Sequence, residues 1–225
     1  MRLHEAVHML TTNPRALLEQ AHVSIAGAGL TPVSSGLRMV KVSMPEHFQG
    51  TKQNTAGVPL PTVSVELFME PGGIPAPLWR DTNSGIEYMG VRTYYISMKR
   101  QEADPGGIPD GTRYALPLNN DGPPVETCVT SQLSGCTFGI GSQVPGGACL
   151  VSHIQPLGGA PLDNLALAQQ TTNLFGAAPE LLVQQGVPGG YADRATILGH
   201  RQYGRWYFFI QEVNFAGIVQ DVRDL

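Results

Sequence analysis

The chain has 225 residues, of which 42% are hydrophobic and only 14% charged, with 27 glycines, 18 prolines and a formal net charge of −4. That hydrophobic fraction supports a full core and excludes global disorder, and a negative chain without a Lys/Arg cluster excludes phosphate neutralisation of nucleic acid as its basis of action. No apolar run approaches the roughly 20 residues of a membrane-spanning helix, and the opening "MRLHEAVHMLTTNP" lacks the apolar stretch of a secretory signal.

The segment "NPRALLEQAH" predicts a short helix, with Asn13 as its cap and Pro14 at the first helical position. "VSIAG" (residues 23–27) and "LRMVKVSM" (37–44) read as strands, and the polar residues 45–61 as a loop. "TVSVELFM" (62–69) alternates as a half-buried strand does. Residues 70–85, "EPGGIPAPLWRDTNSG", predict an unusually long loop, a common setting for function. "IEYMGVRTYYISMK" (86–99) gives one or two strands, and "RYALPL" a short one in which Pro117 marks an edge or an end. "CTFGI" and "ACLVSHIQ" are strand-compatible runs around the turn residues "GSQVPGG". "LDNLALAQQTTNLF" is the best helical stretch, with Leu162, Leu165, Leu167, Ala168 and Leu174 as its apolar face. "GVPGGYAD" is a second glycine-rich loop, and "RATILGHRQYGRWYFFIQEVNF" predicts two core strands, including Trp206, joined near residues 202–204. No internal repeat or linker interrupts this pattern. The expectation is one domain over residues 1–225 of the α+β class: a β-sandwich-like core of mixed sheets flanked by helices and long loops.

The three cysteines are Cys128, Cys136 and Cys149, too few and too odd in number for a disulfide scaffold. With no CxxC pair and scattered histidines, neither a metal nor a cofactor is expected. The chemistry concentrates on Cys136 and His153. A symmetric hairpin with its turn centred between Val144 and Pro145 opposes them directly, with Cβ atoms about 4.5–5.5 Å apart on one face. A one-residue slip would place them on opposite faces. Gly135 lets a substrate or the chain itself come close, and the backbone around Ser134, Gly135 and Cys136 is then able to face an incipient oxyanion. A neighbouring imidazole activates a thiol by taking its proton or lowering its pKa. The imidazole in turn needs an acceptor on its other nitrogen, which Thr130, six residues before Cys136, is able to supply. The bland alternative is that Cys136 is inert core packing, as strand cysteines commonly are. Cys149, on the same face but about 13 Å from His153, and Cys128 read as core. His200 and Asp193 have no tie to Cys136, and His4, His8, His22 and His47 read as surface or local packing.

The pattern Thr130, Leu133, Ser134, Gly135, Cys136, followed by a histidine on the next strand, resembles the catalytic segment of the cytotoxic necrotizing factor-like and Burkholderia lethal factor-like glutamine deamidases. The stretch "GGACLVSHIQP" is similar to the corresponding part of the chemoreceptor glutamine deamidases, whose cysteine motif has Gly and Ser in the other order. The likeness covers about 27 of the 225 residues. It implies a β-sandwich flanked by helices and a Cys–His pair that converts a glutamine of a host protein to glutamate. Cys136 would be the nucleophile and His153 the general base and acid. Thr130, or a main-chain carbonyl in its place, would orient the imidazole. It further implies a protein substrate such as a Rho-family GTPase or a translation factor, no cofactor, and a bacterial effector that is secreted or injected into a host cell. Substrate contacts are expected from loops 70–85 and 186–193, with Trp79, Arg80 and Tyr191 as candidates because such side chains dominate interface energetics; Trp79 packing its loop onto the core is the alternative. Four other readings remain: a transglutaminase, if an amine replaces water; a cysteine peptidase, which would place its cysteine at a helix start; a housekeeping chemoreceptor deamidase, which has the right chemistry but the other motif order; and a non-enzymatic β-sandwich binding module.

Overall fold

A computed structural model describes residues 1–26, 35–44, 49–69, 78–80, 86–104, 106–107, 113–119, 125–143, 147–157 and 162–225. In chain order the elements are α1 (Leu3–Thr12), α2 (Pro14–Gln20), β1 (Ala21–Ala26), β2 (Gly36–Ser43), β3 (Gln49–Gln53), β4 (Pro59–Met69), β5 (Leu78–Arg80), β6 (Glu87–Ile96), β7 (Met98–Arg100), β8 (Arg113–Pro117), β9 (Thr127–Thr130), β10 (Thr137–Gln143), β11 (Ala148–Gln155), α3 (Asn164–Phe175), β12 (Leu181–Val183), β13 (Arg194–Gln202), β14 (Arg205–Val213) and β15 (Ile218–Asp224).

Among the described residues two mixed sheets form, as the α+β reading expects. The larger has ten strands in the order β1-β4-β2-β6-β9-β13-β14-β15-β3, with β5 on β6, and β3 also pairs with β4, so the path closes on itself. The smaller has five strands, β12-β10-β11-β7, with β8 on β11. Both sheets combine parallel and antiparallel neighbours: β6–β9 and β11–β7 are parallel, β9–β13 and β10–β11 antiparallel.

Strands β9 and β13 divide the interior. Side chains alternate across a strand, so Cys128, Ala195 and Ile197 enter one core while Val129 and Leu198 enter the other. The first core fills the space between the sheets, where Phe138, Ile140, Cys149 and Val151 meet Trp206, Phe208 and Ile210. The rings of Phe138 and Phe208 stand 5.9 Å apart. The second core packs Leu10, Leu17 and Leu18 of α1 and α2 against Val40, Val42, Val65 and Leu67. At its corner the buried Gln211 donates to the carbonyls of Leu18 and Ala21, both at 2.7 Å, and accepts from Val23 N at 2.9 Å. All three bonds satisfy backbone groups left over where helix gives way to strand.

The local signals at α2 and at the last hairpin carry through. Asn13 Oδ1 accepts from Ala16 N at 3.1 Å with Pro14 in the first turn, and Tyr203 (φ 52°) and Gly204 (φ 72°) form the two-residue turn between β13 and β14. Pro117 ends β8, which among the described residues pairs only with β11. Other expectations are corrected. Residues 45–61 hold β3 and the start of β4, because the polar "QGTKQ" gains its pairing from the ring closure and has no apolar pattern of its own. Helix α3 buries Ala166, Leu167, Gln170, Thr171, Leu174 and Phe175, and Leu165 is 84% exposed. Gln170 takes a core position because its amide donates to the Glu102 and Asp104 carbonyls at 2.8 Å each. The expected long loop at 70–85 lies outside the described residues apart from β5, and so does the hairpin centre at Val144 and Pro145.

Candidate active site

Strands β10 and β11 pair as predicted, but in another register: Phe138, not Cys136, opposes His153. A bulge between Ile140 and Gln143 shifts the pairing as it approaches the turn. The displacement is by two residues, an even step, so Cys136 and His153 stay on one face as diagonal neighbours. Cys136 itself immediately precedes β10, and no helix begins there.

Backbone bonds, a glycine turn and sulfur contacts hold the cysteine segment. Leu133 exchanges backbone bonds with Ala195, N to O at 2.8 Å and O from N at 3.0 Å. Gly135 takes φ +78°, a left-handed conformation that glycine adopts without strain. The hydroxyl of Tyr191 donates to the Cys136 carbonyl at 2.8 Å. The Cys136 thiol itself lies 3.7 Å from Ser134 O and 3.8 Å from Met98 Sδ. Ser134 is exposed, Gly135 half-buried and Cys136 buried, so the segment descends from the surface into the first core. Burial pushes the Cys136 thiol up to about 11.

His153 sits on β11 between Phe138 of β10 and Met98 of β7, which are its register partners. It is fully buried, and burial pushes its imidazole down to about 3. Its Nδ1 stands 2.7 Å from Thr130 Oγ1, and Thr130 Oγ1 stands 2.7 Å from the Ile96 carbonyl. A carbonyl only accepts, so the single hydroxyl proton of Thr130 goes to Ile96, and Nδ1–H of His153 must donate to Thr130. The tautomer is thereby fixed, and Nε2 is left as a bare acceptor. That Nε2 is buried with no hydrogen-bond partner among the described residues. The Thr130–His153 bond joins β9 of the large sheet to β11 of the small one, so the imidazole is oriented by the packing of the two sheets.

The structure thus brings Thr130 and His153 into contact and sets Cys136 on the same face, without a hydrogen bond between thiol and imidazole. Of the three expected substrate contacts, Tyr191 alone has a described side chain. Tyr191 is 2% exposed. Its loop bonds to itself through Gly186 N to Tyr191 O (2.8 Å) and Tyr191 N to Gln184 O (3.0 Å), which turns the ring inward onto Cys136. Tyr191 is therefore a support for the cysteine backbone and not a surface anchor. Trp79 and Arg80 lie on β5, paired with Tyr88 and Glu87; their side chains lie outside the described part. His200 is buried on β13, and Asp193 accepts from Phe215 N at 3.1 Å; neither bonds to Cys136. The sequence reading missed Met98, whose place beside His153 depends on a parallel pairing between strands distant in sequence.

Among the described residues no group of three or more His, Cys, Asp or Glu side chains is placed to hold a metal ion. Among them, too, no helix is long and apolar enough to cross a membrane. No protein-family model matches the chain, and no curated protein matches its sequence.

Proposed function

We propose that this protein is a protein-glutamine deamidase working through Cys136 and His153. The observation that carries the reading is the Thr130–His153 bond of 2.7 Å, which leaves a bare, buried Nε2, unpartnered among the described residues, on the face that also holds Cys136. An imidazole whose other nitrogen is held in one tautomer is what a general base requires.

In this reading His153 Nε2 takes the Cys136 proton as sulfur attacks the carboxamide carbon of a glutamine side chain. The carbonyl oxygen becomes an oxyanion, met by backbone N–H groups near Gly135 and Cys136. The C–N bond breaks, Nε2–H gives its proton to the departing nitrogen, and ammonia leaves a thioester on Cys136. Water then adds to that carbon with Nε2 taking a proton. The C–S bond breaks, the proton returns to sulfur, and glutamate is released. An amine in place of water would give a transglutaminase. The position of Cys136 before a strand sets it apart from peptidases that activate the thiol at a helix N-terminus. The resemblance of the cysteine segment adds the substrate class: a folded host protein, a Rho-family GTPase or a translation factor, met by a secreted or injected effector.

A second reading, a non-enzymatic binding module, draws on the resting burial of both groups, with Cys136 2% and His153 0% exposed. One experiment separates the two. A eukaryotic lysate is incubated with the wild type or with Cys136→Ala, and peptides are searched by mass spectrometry for Gln-to-Glu conversion. A site converted only by the wild type is expected. No conversion, together with a Cys136 that alkylates slowly and independently of His153, would favour the binding module.

A further inference from the structure

A carboxamide carbon must come within roughly 3–3.5 Å of the attacking sulfur before reaction, and in the structure a methionine side chain stands against that sulfur. Met98 Sδ is in van der Waals contact with Cys136 Sγ at 3.8 Å. Met98 is in direct register with His153 across the β7–β11 pair. One side chain therefore lies against the thiol and beside the imidazole together. The exposures form a gradient: Met98 is half-buried, whereas Cys136 and His153 are buried. Among the described residues the buried Nε2 has no hydrogen-bond partner, so a polar atom beside the thioether is left for an incoming group to meet.

We infer that Met98 is the gate of the Cys136–His153 site: its thioether stands where the substrate's carboxamide must enter, and it swings away to admit it. The inference rests on the reading of Cys136 as a nucleophile. Methionine suits the role physically. It is unbranched, has three rotatable bonds and repacks at little cost, so a fixed strand is able to carry a movable plug. While the gate is shut the thiol and imidazole both stay neutral, because the closed apolar surroundings disfavour either charge. A host glutamine side chain, long and narrow, has the shape to replace a methionine side chain of similar length.

The test is the alkylation rate of Cys136 by iodoacetamide at pH 8, resolved by peptide mass spectrometry, in the wild type, Met98→Ala and Met98→Leu. Cys128 and Cys149, both buried and free, serve as internal controls. Met98→Ala is expected to speed labelling of Cys136 about tenfold or more, with the other two cysteines unchanged, and Met98→Leu, which restores the volume, to return it close to the wild-type rate. An unchanged rate in Met98→Ala would overturn the inference. So would parallel acceleration of all three cysteines, which would mean general loosening of the core. Adding His153→Ala to Met98→Ala tests the dyad separately. Accelerated labelling without any glutamine conversion in the lysate would keep the gate and remove the deamidase.

Discussion

At the scale of single residues, Thr130 decides what His153 is able to do. Its hydroxyl proton is committed to Ile96, so it only accepts from the imidazole, and Nε2 is left as the basic nitrogen. Thr130→Val keeps the shape but leaves Nδ1–H and the Ile96 carbonyl without this partner. A buried group stranded in this way costs about 1–3 kcal/mol, and the freed ring loses its fixed tautomer. On the proposed reading, deamidation by Thr130→Val should fall about 10²-fold, mainly in kcat, whereas Thr130→Ser should retain most of it. Steady-state kinetics on a converted glutamine peptide would check this, and equal losses in both variants would remove Thr130 from the mechanism. The Thr-Cys-His set was legible in the sequence because it lies within one short segment. Tyr191 was not, since its aromatic ring reads equally as anchor or core until its loop is seen to bond back on itself.

At the scale of elements, register and close approach matter more than propensity. The β10–β11 hairpin was legible from its two apolar runs, but its bulge was not, because an added residue leaves no mark on composition. Only the even displacement kept Cys136 and His153 on one face. Helix α3 is set against this hairpin by glycine. A Cβ on Gly139 would stand 2.5 Å from Thr171 Cγ2 and 2.9 Å from Ser152 Oγ. Gly139→Ala should therefore push α3 outward and cost about 1–3 kcal/mol, as overpacking does. A urea midpoint equal to that of the wild type would show that the helix yields without cost. The misread face of α3 has the same origin: Gln170 and Thr171 are buried because backbone carbonyls receive their donors, and apolar periodicity alone points instead to Leu165.

At the scale of the whole molecule, the buried titratable groups set a pH window for folding. His153 is pushed down to about 3 from 6.5, so below pH 6.5 the unfolded chain binds a proton that the folded chain refuses. His22 and His200 are shifted downward as well, chiefly by burial. Stability therefore falls as pH drops below 6.5, by up to about 1.4 kcal/mol per pH unit for the fully buried His153 and by less for His22 and His200, where solvent screens the charge. At the alkaline end Cys136 is raised to about 11 and Cys149 to about 12, from 9.0, so the unfolded thiols ionise first and stability falls above pH 9. Urea midpoints should form a plateau between these limits. The slope between pH 6.5 and 5 should shrink in His153→Gln. An undiminished slope there would mean that His153 is not held neutral by the fold.

The sequence by itself determined the class of the fold, the cap of α2, the β13–β14 turn and the segment that holds Thr130, Cys136 and His153. These depend on neighbours in the chain, through φ preference, strand alternation and side chains that reach one turn or one residue across. The tertiary structure alone decided the closure of the large sheet by β3, the division of the core along β9 and β13, the inward turn of Tyr191 and the placing of Met98 against the thiol. Each of these joins residues far apart in sequence, where the favourable contact is made only after both sheets have packed, and so no local pattern records it in advance.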